Sequence, residues 1–470
     1  MVKWNWLQRT MVALSLASCG TTPTISEDAT SDASDTAAAD VATDTAVAPT
    51  ETTLAVQREA CAFGPGALAA TTFGSDAPDL SKAPIDTIVV LMMENRSYDH
   101  LLGHLKAFGQ PDAEGAPDDA SNVDGKGKSV AWFHFDDYCF DDTTHQWNQV
   151  HAQFNGGKMD GFCTANGGSS LDPDGHRAMG YYTDADIPFF YQLASTYAIG
   201  DRFFCDALGA TDMNRLFLYA GSAFGRTYNA IFGDPHRSIM DLLDEAKVEW
   251  KVYNESVPGL GILVDGYTSH LDRFVPLADF AKDAAAGKLP QVVFVDPDLL
   301  EQAQGGCDDF HPPGNVQLGE KFVFDVVDAV QKSPQWAHTA LFVTFDEHGG
   351  QFDHVPPPKA CVPDDSAFDG KKGDLEVPFD NYGVRVPFIV VSPYARKHFV
   401  SHKRLSNASI LRFIEARFGM PALSKRDANS HVPAEFFDFA KPEFATPPAF
   451  AATTLNQAKA DACVKAFPHK

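Results

Sequence analysis

Apolar residues along this chain fall into two alternating patterns. Short apolar runs, rich in β-branched residues, occupy 88–93, 292–295, 340–345 and 386–392, and the strand-like stretch 248–253 carries Glu249 and Lys251 among its apolar residues. Runs of this kind suit strands buried on both faces of a mostly parallel sheet. Between them apolar residues recur at helical spacing, predicting helices over 97–108, 143–154, 186–193, 238–246, 271–286, 315–332 and 406–418. In 315–332 that spacing is carried by Leu318, Phe322, Val326, Val327 and Val330, and Ser97 and Ser406 stand where helix caps belong. The alternation predicts an α/β fold, a central mostly parallel sheet flanked by helices.

Two of the strand runs end in the same way. The run at 88–93 stops at Glu94-Asn95-Arg96, and the run at 340–345 stops at Asp346-Glu347-His348-Gly349-Gly350. Open α/β sheets bind ligands outside the carboxyl ends of their strands. Glu94, Asn95, Asp346 and Glu347 are all oxygen donors, the set that suits a hard divalent cation. Each pair also has a plainer use as a cap for the turn that follows it. The Gly349-Gly350 pair predicts a sharp backbone turn beneath such a site. Candidate residues run from Glu94 to Glu347 with ordinary α/β elements between them, so one domain over 54–470 is expected although 470 residues would allow more.

Composition narrows the choice. A formal net charge of −26 argues against nucleic acid and against electrostatic docking on anionic lipid. Residues 1–18 carry Lys3 and Arg9, then a short apolar run, then Leu16-Ala17-Ser18-Cys19, the order of an export signal. Leu-Ala-Ser-Cys resembles a bacterial lipobox, which implies a lipidated Cys19, and Gly20 after it favours the outer membrane. An ordinary secretory signal with a chance cysteine fits the same residues. Residues 19–53 lack Lys, Arg and aromatics and read as a disordered tether, so the membrane is expected to be met through the lipid anchor alone. Seven further cysteines contain no Cys-x-x-Cys pair, and outside the cytoplasm disulfides are the expected use, with at least one thiol left over.

The motifs MMENRSYDHLLG at 92–103 and TFDEHGGQFDHVPPP at 344–358 resemble the bacterial phosphoesterase family, which contains phosphatidylcholine-type phospholipases C and periplasmic acid phosphatases. Two more segments match it, GDRFFCDALGATDMNRLFLYAG at 200–221 and VPFIVVSPYARKHFVSHKRLSNASILRFIEARFG at 386–419. The resemblance implies an alkaline-phosphatase-like fold and one divalent metal ion held by Glu94, Asn95, Asp346, Glu347 and Thr211. Thr211 would be the nucleophile and form a phosphothreonine. His145, His270 and His311 fall where the family has histidines that face phosphate. The implied substrate is a phosphate monoester or a phospholipid.

Some residues keep two readings. Without the family, Thr211 is an ordinary cap for a helix over 214–220. Asn95 and Arg96 stand where substrate would bind, but Arg96 equally fits a pairing with Asp99. Trp132, Phe133, Phe135, Tyr138 and Trp147 suit either a wall for a choline head group or plain core. His348 and His354 read as supports of the glycine turn, and Arg215 as structural. Little chain follows Phe437, which tilts the expectation toward a minimal phosphatase-like enzyme. Two rival functions are a sulfatase, whose Cys-x-Pro-x-Arg context Cys205 does not provide, and a non-catalytic surface-binding lipoprotein.

Overall fold

A computed structural model describes residues 48–230, 236–256, 270–299 and 305–468. The export signal, Cys19 and most of the expected tether lie outside these residues. The first described helix, Glu51–Glu59, begins slightly before the expected start of the folded part at 54, and Thr50 caps it.

Eight strands form the main sheet: β1 (Thr87–Met93), β2 (Ala198–Gly200), β3 (Trp250–Asn254), β4 (Phe274–Pro276), β5 (Val292–Asp296), β6 (Thr339–Phe345), β7 (Phe388–Val391) and β8 (Val400–Ser401). Their order across the sheet is β8-β2-β7-β6-β1-β5-β3-β4. The block β6-β1-β5-β3-β4 is parallel throughout. β7 runs antiparallel to both β6 and β2. The expected mostly parallel sheet is therefore present, with one reversed strand that an apolar run cannot announce.

β1 and β6 sit at the centre, and every residue of both is buried. Side chains alternate between the two faces of a strand, so Phe342 and Phe345 of β6 point opposite ways. Phe342 meets Phe413 of the helix Asn407–Phe418, while Phe345 meets Phe190 of the helix Pro188–Thr196. Both faces of the sheet are thus covered, as continuous apolar runs require.

Two disulfides, Cys61–Cys361 and Cys139–Cys463, tie the N-terminal helix and the C-terminal helix Gln457–Ala466 to the body. Cys163 and Cys205 stay as buried thiols. The expected helix at 271–286 is broken into two single turns, β4 and a short helix Phe280–Ala285. Pro276, which has no N–H to donate, sits at the break. No described helix is long and apolar enough to cross a membrane.

Candidate active site

The register of the central strands brings the acidic residues together. Met93 of β1 lies opposite Phe345 of β6, so Glu94 and Asp346 leave the sheet side by side. On the other flank Leu91 pairs with Val295, which places Asp296 at the end of β5 one strand away. The N–H groups of Asn95 and Glu347 both donate to Asp346 Oδ1, at 3.1 and 2.7 Å, and Gly349 N–H donates to Glu347 Oε2 at 2.8 Å. Asn95 adopts a left-handed conformation (φ 57°), which a short polar side chain tolerates.

The glycine pair answers to crowding. A Cβ on Gly349 would lie 2.3 Å from the Asn95 carbonyl oxygen, and one on Gly350 would lie 2.4 Å from that of Thr144. The turn after β6 therefore wedges between the turn after β1 and the segment leading to His145. Only glycine allows that approach.

Four buried oxygens at this point accept no hydrogen bond from any described residue: Glu94 Oε2, Asn95 Oδ1, Asp346 Oδ2 and Glu347 Oε1. Leaving such atoms unsatisfied is costly. Burial holds the Glu94 carboxyl well above its usual range, and the neighbouring Asp346 adds to the effect. Glu347 is raised to about 8, chiefly by burial, with His145 opposing and Asp346 reinforcing. One atom from each of four of the five expected ligands thus accepts no hydrogen bond, and the surplus charge is negative. A bound cation fits both facts.

Above the carboxylates lies the helix Thr211–Ala220, whose first residue is the expected nucleophile. The residue before it, Ala210, has no side chain that can cap the helix, and Asn229 Oδ1 accepts the Asp212 N–H at 3.1 Å, which leaves the N–H groups of Thr211 and Met213 facing the helix start. Thr211 is partly exposed, and it begins the helix rather than capping one at 214. Arg215 lies one turn further along the same face. Its Nη2 donates to Glu94 Oε1 at 2.5 Å, its Nη1 to Asp296 Oδ1 at 3.2 Å, and its Nε stands 3.6 Å from Asp346 Oδ2. The helix face that carries Thr211 is therefore pinned to the strand ends. Asn214 fixes the approach, its Oδ1 accepting from the N–H groups of Asp206 and Ala207 and its Nδ2 donating to Gly209 O. Arg215→Met would leave these carboxylates buried without their cation, and a loss of about 3–5 kcal/mol is expected in urea unfolding at neutral pH.

His145 and His311 come together, their rings 5.5 Å apart and nearly perpendicular. Each donates Nδ1–H to a backbone carbonyl, His145 to Thr143 and His311 to Pro312, so Nε2 is the free nitrogen on both. One ligating atom each from Asp142, His145 and His311 lies within 4.8 Å of the others. Burial opposes protonation of His145, but the charges of Glu347 and Asp142 outweigh it and its pKa rises. Burial, aided by the adjacent His145, lowers that of His311. The two imidazoles are thereby set apart, one favouring the cation and one the neutral form.

Two expected residues are not brought to this point. His270 sits 3.0 Å from Asp244 and edge-on to Trp250, the first residue of β3. That is the amino end of the parallel strands, opposite Glu94. Arg96 is fully buried, its Nε donating to Phe310 O at 2.7 Å and its Nη1 lying 3.0 Å from His100 Nε2. The left-handed turn at Asn95 sends the next side chain inward. Arg96 holds the fold instead of facing substrate, and Asp99 pairs with Arg385 and His354 in its place. His348 does support the site, with its Nε2 2.8 Å from Gln153 Oε1. Of the aromatic group, Trp132 and Phe135 pack against His104 and Phe140, and Trp147 lines a cleft.

Sequence reasoning missed Asp142, Asp296 and Asp309. Asp309 is buried, its Oδ1 accepts from His311 N–H, and its carbonyl accepts from Glu94 N–H. The available signals were local: Asp142 lies three residues before His145, Asp309 two before His311, and Asp296 ends an apolar strand run.

A parallel sheet that discharges acidic residues beneath a helix-borne hydroxyl, with paired imidazoles beside them, defines a hydrolase class that acts on phosphoric esters. The model of the Phosphoesterase family matches residues 85–421, and the chain belongs to that family. It is 32% identical over 384 residues to Non-specific phospholipase C1 of Arabidopsis thaliana, covering 75% of this chain and 71% of that protein. It is likewise 32% identical over 424 residues to Phospholipase C B of Mycobacterium tuberculosis (strain ATCC 25618 / H37Rv), covering 76% and 78%. Among solved structures it is similar to a protein in the alkaline phosphatase superfamily from Vibrio parahaemolyticus, with a TM-score of 0.37 at 10% identity over 86% of this chain and 80% of that one.

Proposed function

We propose that this hydrolase is an exported, lipid-anchored enzyme of the phospholipase C type. In this reading it uses one divalent metal ion and a covalent phosphothreonine at Thr211. The observation that carries it is the set of four buried oxygens that accept no hydrogen bond at two adjacent strand ends, under the helix that begins with Thr211. Glu94, Asn95, Asp346, Glu347 and Thr211 would hold the ion. When bound it would lower the pKa of the Thr211 hydroxyl and neutralise charge on the phosphoryl oxygens.

The rest is done by the protein. The Thr211 hydroxyl gives its proton to solvent and its Oγ1 attacks phosphorus, forming a P–O bond to the side chain while the bond to the alcohol oxygen breaks. Nε2 of His145, the imidazole held toward its cationic form, protonates the departing oxygen. Water then attacks the phosphothreonine, giving a proton to His145 Nε2, and the departing Thr211 oxygen regains its proton from solvent. The Thr211 and Met213 N–H groups at the helix start steady the phosphoryl charge during both steps. Relatives named as phospholipases C support a phosphodiester of a lipid over a phosphomonoester. Two disulfides support an oxidising compartment, and the Leu-Ala-Ser-Cys sequence supports anchoring at Cys19.

The test compares p-nitrophenyl phosphorylcholine with p-nitrophenyl phosphate, with and without EDTA. Turnover of the choline ester that EDTA removes and a divalent metal restores is expected. Turnover of the monoester alone would replace this reading with an acid phosphatase. Changing His145 to Ala should lower kcat by about 10²–10⁴ on an alkyl phosphodiester. The loss should be smaller on the p-nitrophenyl ester, whose leaving group needs no proton, and the ratio of the two checks the assignment.

A further inference from the structure

We propose that segment 362–379 is an interfacial loop that seats the active site on a zwitterionic, choline-bearing lipid surface. The inference rests on the phospholipase reading above and adds to it the face by which the enzyme meets its substrate. The segment has no regular secondary structure, yet it exposes Val362, Phe368, Leu375 and Val377, with Leu375 at 46% and Phe368 at 36%. Those four belong to eleven large exposed apolar residues described in the whole molecule, so this short stretch concentrates them.

Hydrogen bonds hold the segment in place. Its start is fixed by the Cys61–Cys361 disulfide, and Lys425 N–H donates to Pro363 O. Asp369 N–H donates to Gly225 O, and Thr227 Oγ1 donates to Asp374 Oδ2 at 2.6 Å. At its far end Trp147 Nε1 donates to Leu375 O at 2.9 Å, and Asn148 Oδ1 accepts from Leu375 N–H. Trp147 is two residues from His145, so the loop is bonded directly to the helix beside the site.

Two clefts flank the loop and share Val377, Pro378 and Phe379 as their common wall. One, of about 280 Å³, is also lined by Trp147 and by Leu208, three residues before Thr211. An apolar ridge that continues into a cleft lined by residues close in sequence to His145 and Thr211 suits a substrate drawn from an interface, since its acyl part stays in apolar contact while its phosphate reaches the site. Scattered single exposed apolar residues need no such account; a cluster hydrogen-bonded to the helix that follows His145 does.

Charge selects the kind of surface. Residues 362–380 hold six acidic residues and two lysines, on a chain of net charge −26. An anionic bilayer would repel this face. A phosphatidylcholine surface presents its quaternary ammonium outermost, which acidic and aromatic side chains attract.

The experiment uses the full chain carrying Cys19→Ser, so that no acyl anchor is attached, and Thr211→Ala, so that no lipid is consumed, and measures flotation with phosphatidylcholine vesicles. Phe368→Ser and Leu375→Ser are added singly and together, and each is expected to weaken binding about tenfold. In the otherwise wild-type chain, the same substitutions should leave turnover of soluble p-nitrophenyl phosphorylcholine unchanged and lower turnover of vesicle lipid. Three results would overturn the proposal: unaltered flotation of the double variant, tighter binding to vesicles doped with phosphatidylglycerol, or equal losses on soluble and vesicle substrates. Because flotation is read without catalysis, failure of the phospholipase reading alone would appear as intact binding with no turnover of either ester.

Discussion

Thr211→Ala is expected to abolish phosphoester turnover while leaving the protein folded. The side chain is partly exposed, begins a helix and makes no capping hydrogen bond, so its loss removes little from the folded state. Thermal unfolding should move by no more than the effect of an ordinary surface substitution, about 0.5 kcal/mol. Catalysis is different, because every bond change passes through that hydroxyl. Removing a covalent nucleophile that acts together with its activating groups costs about 10⁴–10⁶ in kcat. Thr211→Ser keeps the hydroxyl at the same helix position and should retain most of the activity. Acid quenching during turnover, followed by peptide mass spectrometry, should find phosphate on the peptide containing Thr211 in the wild-type chain and none in the Ala variant. Phosphate on another residue, or full activity of Thr211→Ala, would remove this residue from the chemistry.

What the sequence displayed of the site was its local part. Continuous apolar runs that stop at acidic pairs are visible in one dimension, and the parallel register of β1 and β6 then sets Glu94 beside Asp346 without further information. Contacts that depend on chain direction after a turn were not visible. Arg96 follows Asn95 in sequence, but a left-handed residue redirects the chain, and the guanidinium finishes on the Phe310 carbonyl. Arg215 could not be paired with Glu94, Asp296 and Asp346 from sequence, since that geometry needs the helix laid across three strand ends. The same holds for the disulfides, whose partners are 300 and 324 residues apart. His270 was placed through the resemblance alone, and the fold carries it to the amino end of β3. β7 shows the limit of hydrophobic patterning, because burial on both faces looks alike in either strand direction.

The buried carboxylates also fix how stability should respond to metal and pH. With metal stripped by EDTA, Glu347 has a folded pKa of about 8 against an ordinary 4.5, raised chiefly by burial. Between those values the folded state holds a proton that the unfolded state has released. Stability then falls as pH rises, because its slope follows protons bound by the unfolded state minus those bound by the native state. The stripped protein should therefore lose Tm steadily from about pH 5 to pH 8. A divalent cation competes with that proton for the same oxygens, so its affinity should climb across the same interval. At a metal concentration a hundred times Kd, binding adds about 2.7 kcal/mol, which offsets most of the roughly 3.5 kcal/mol lost between pH 5 and pH 8. Asp346→Asn removes one donor charge and should reduce both effects together: a smaller metal-induced rise in Tm and a drop in kcat of about 10³ or more. Differential scanning calorimetry at several pH values, with EDTA and with added Mg²⁺, Ca²⁺ or Mn²⁺, reads the first, and turnover of p-nitrophenyl phosphorylcholine reads the second. A Tm that rises with pH in EDTA would mean that Glu347 is charged in the folded protein, with His145 and the Gly349 N–H supplying all the compensation it needs. The carboxylate cluster would then call for no cation.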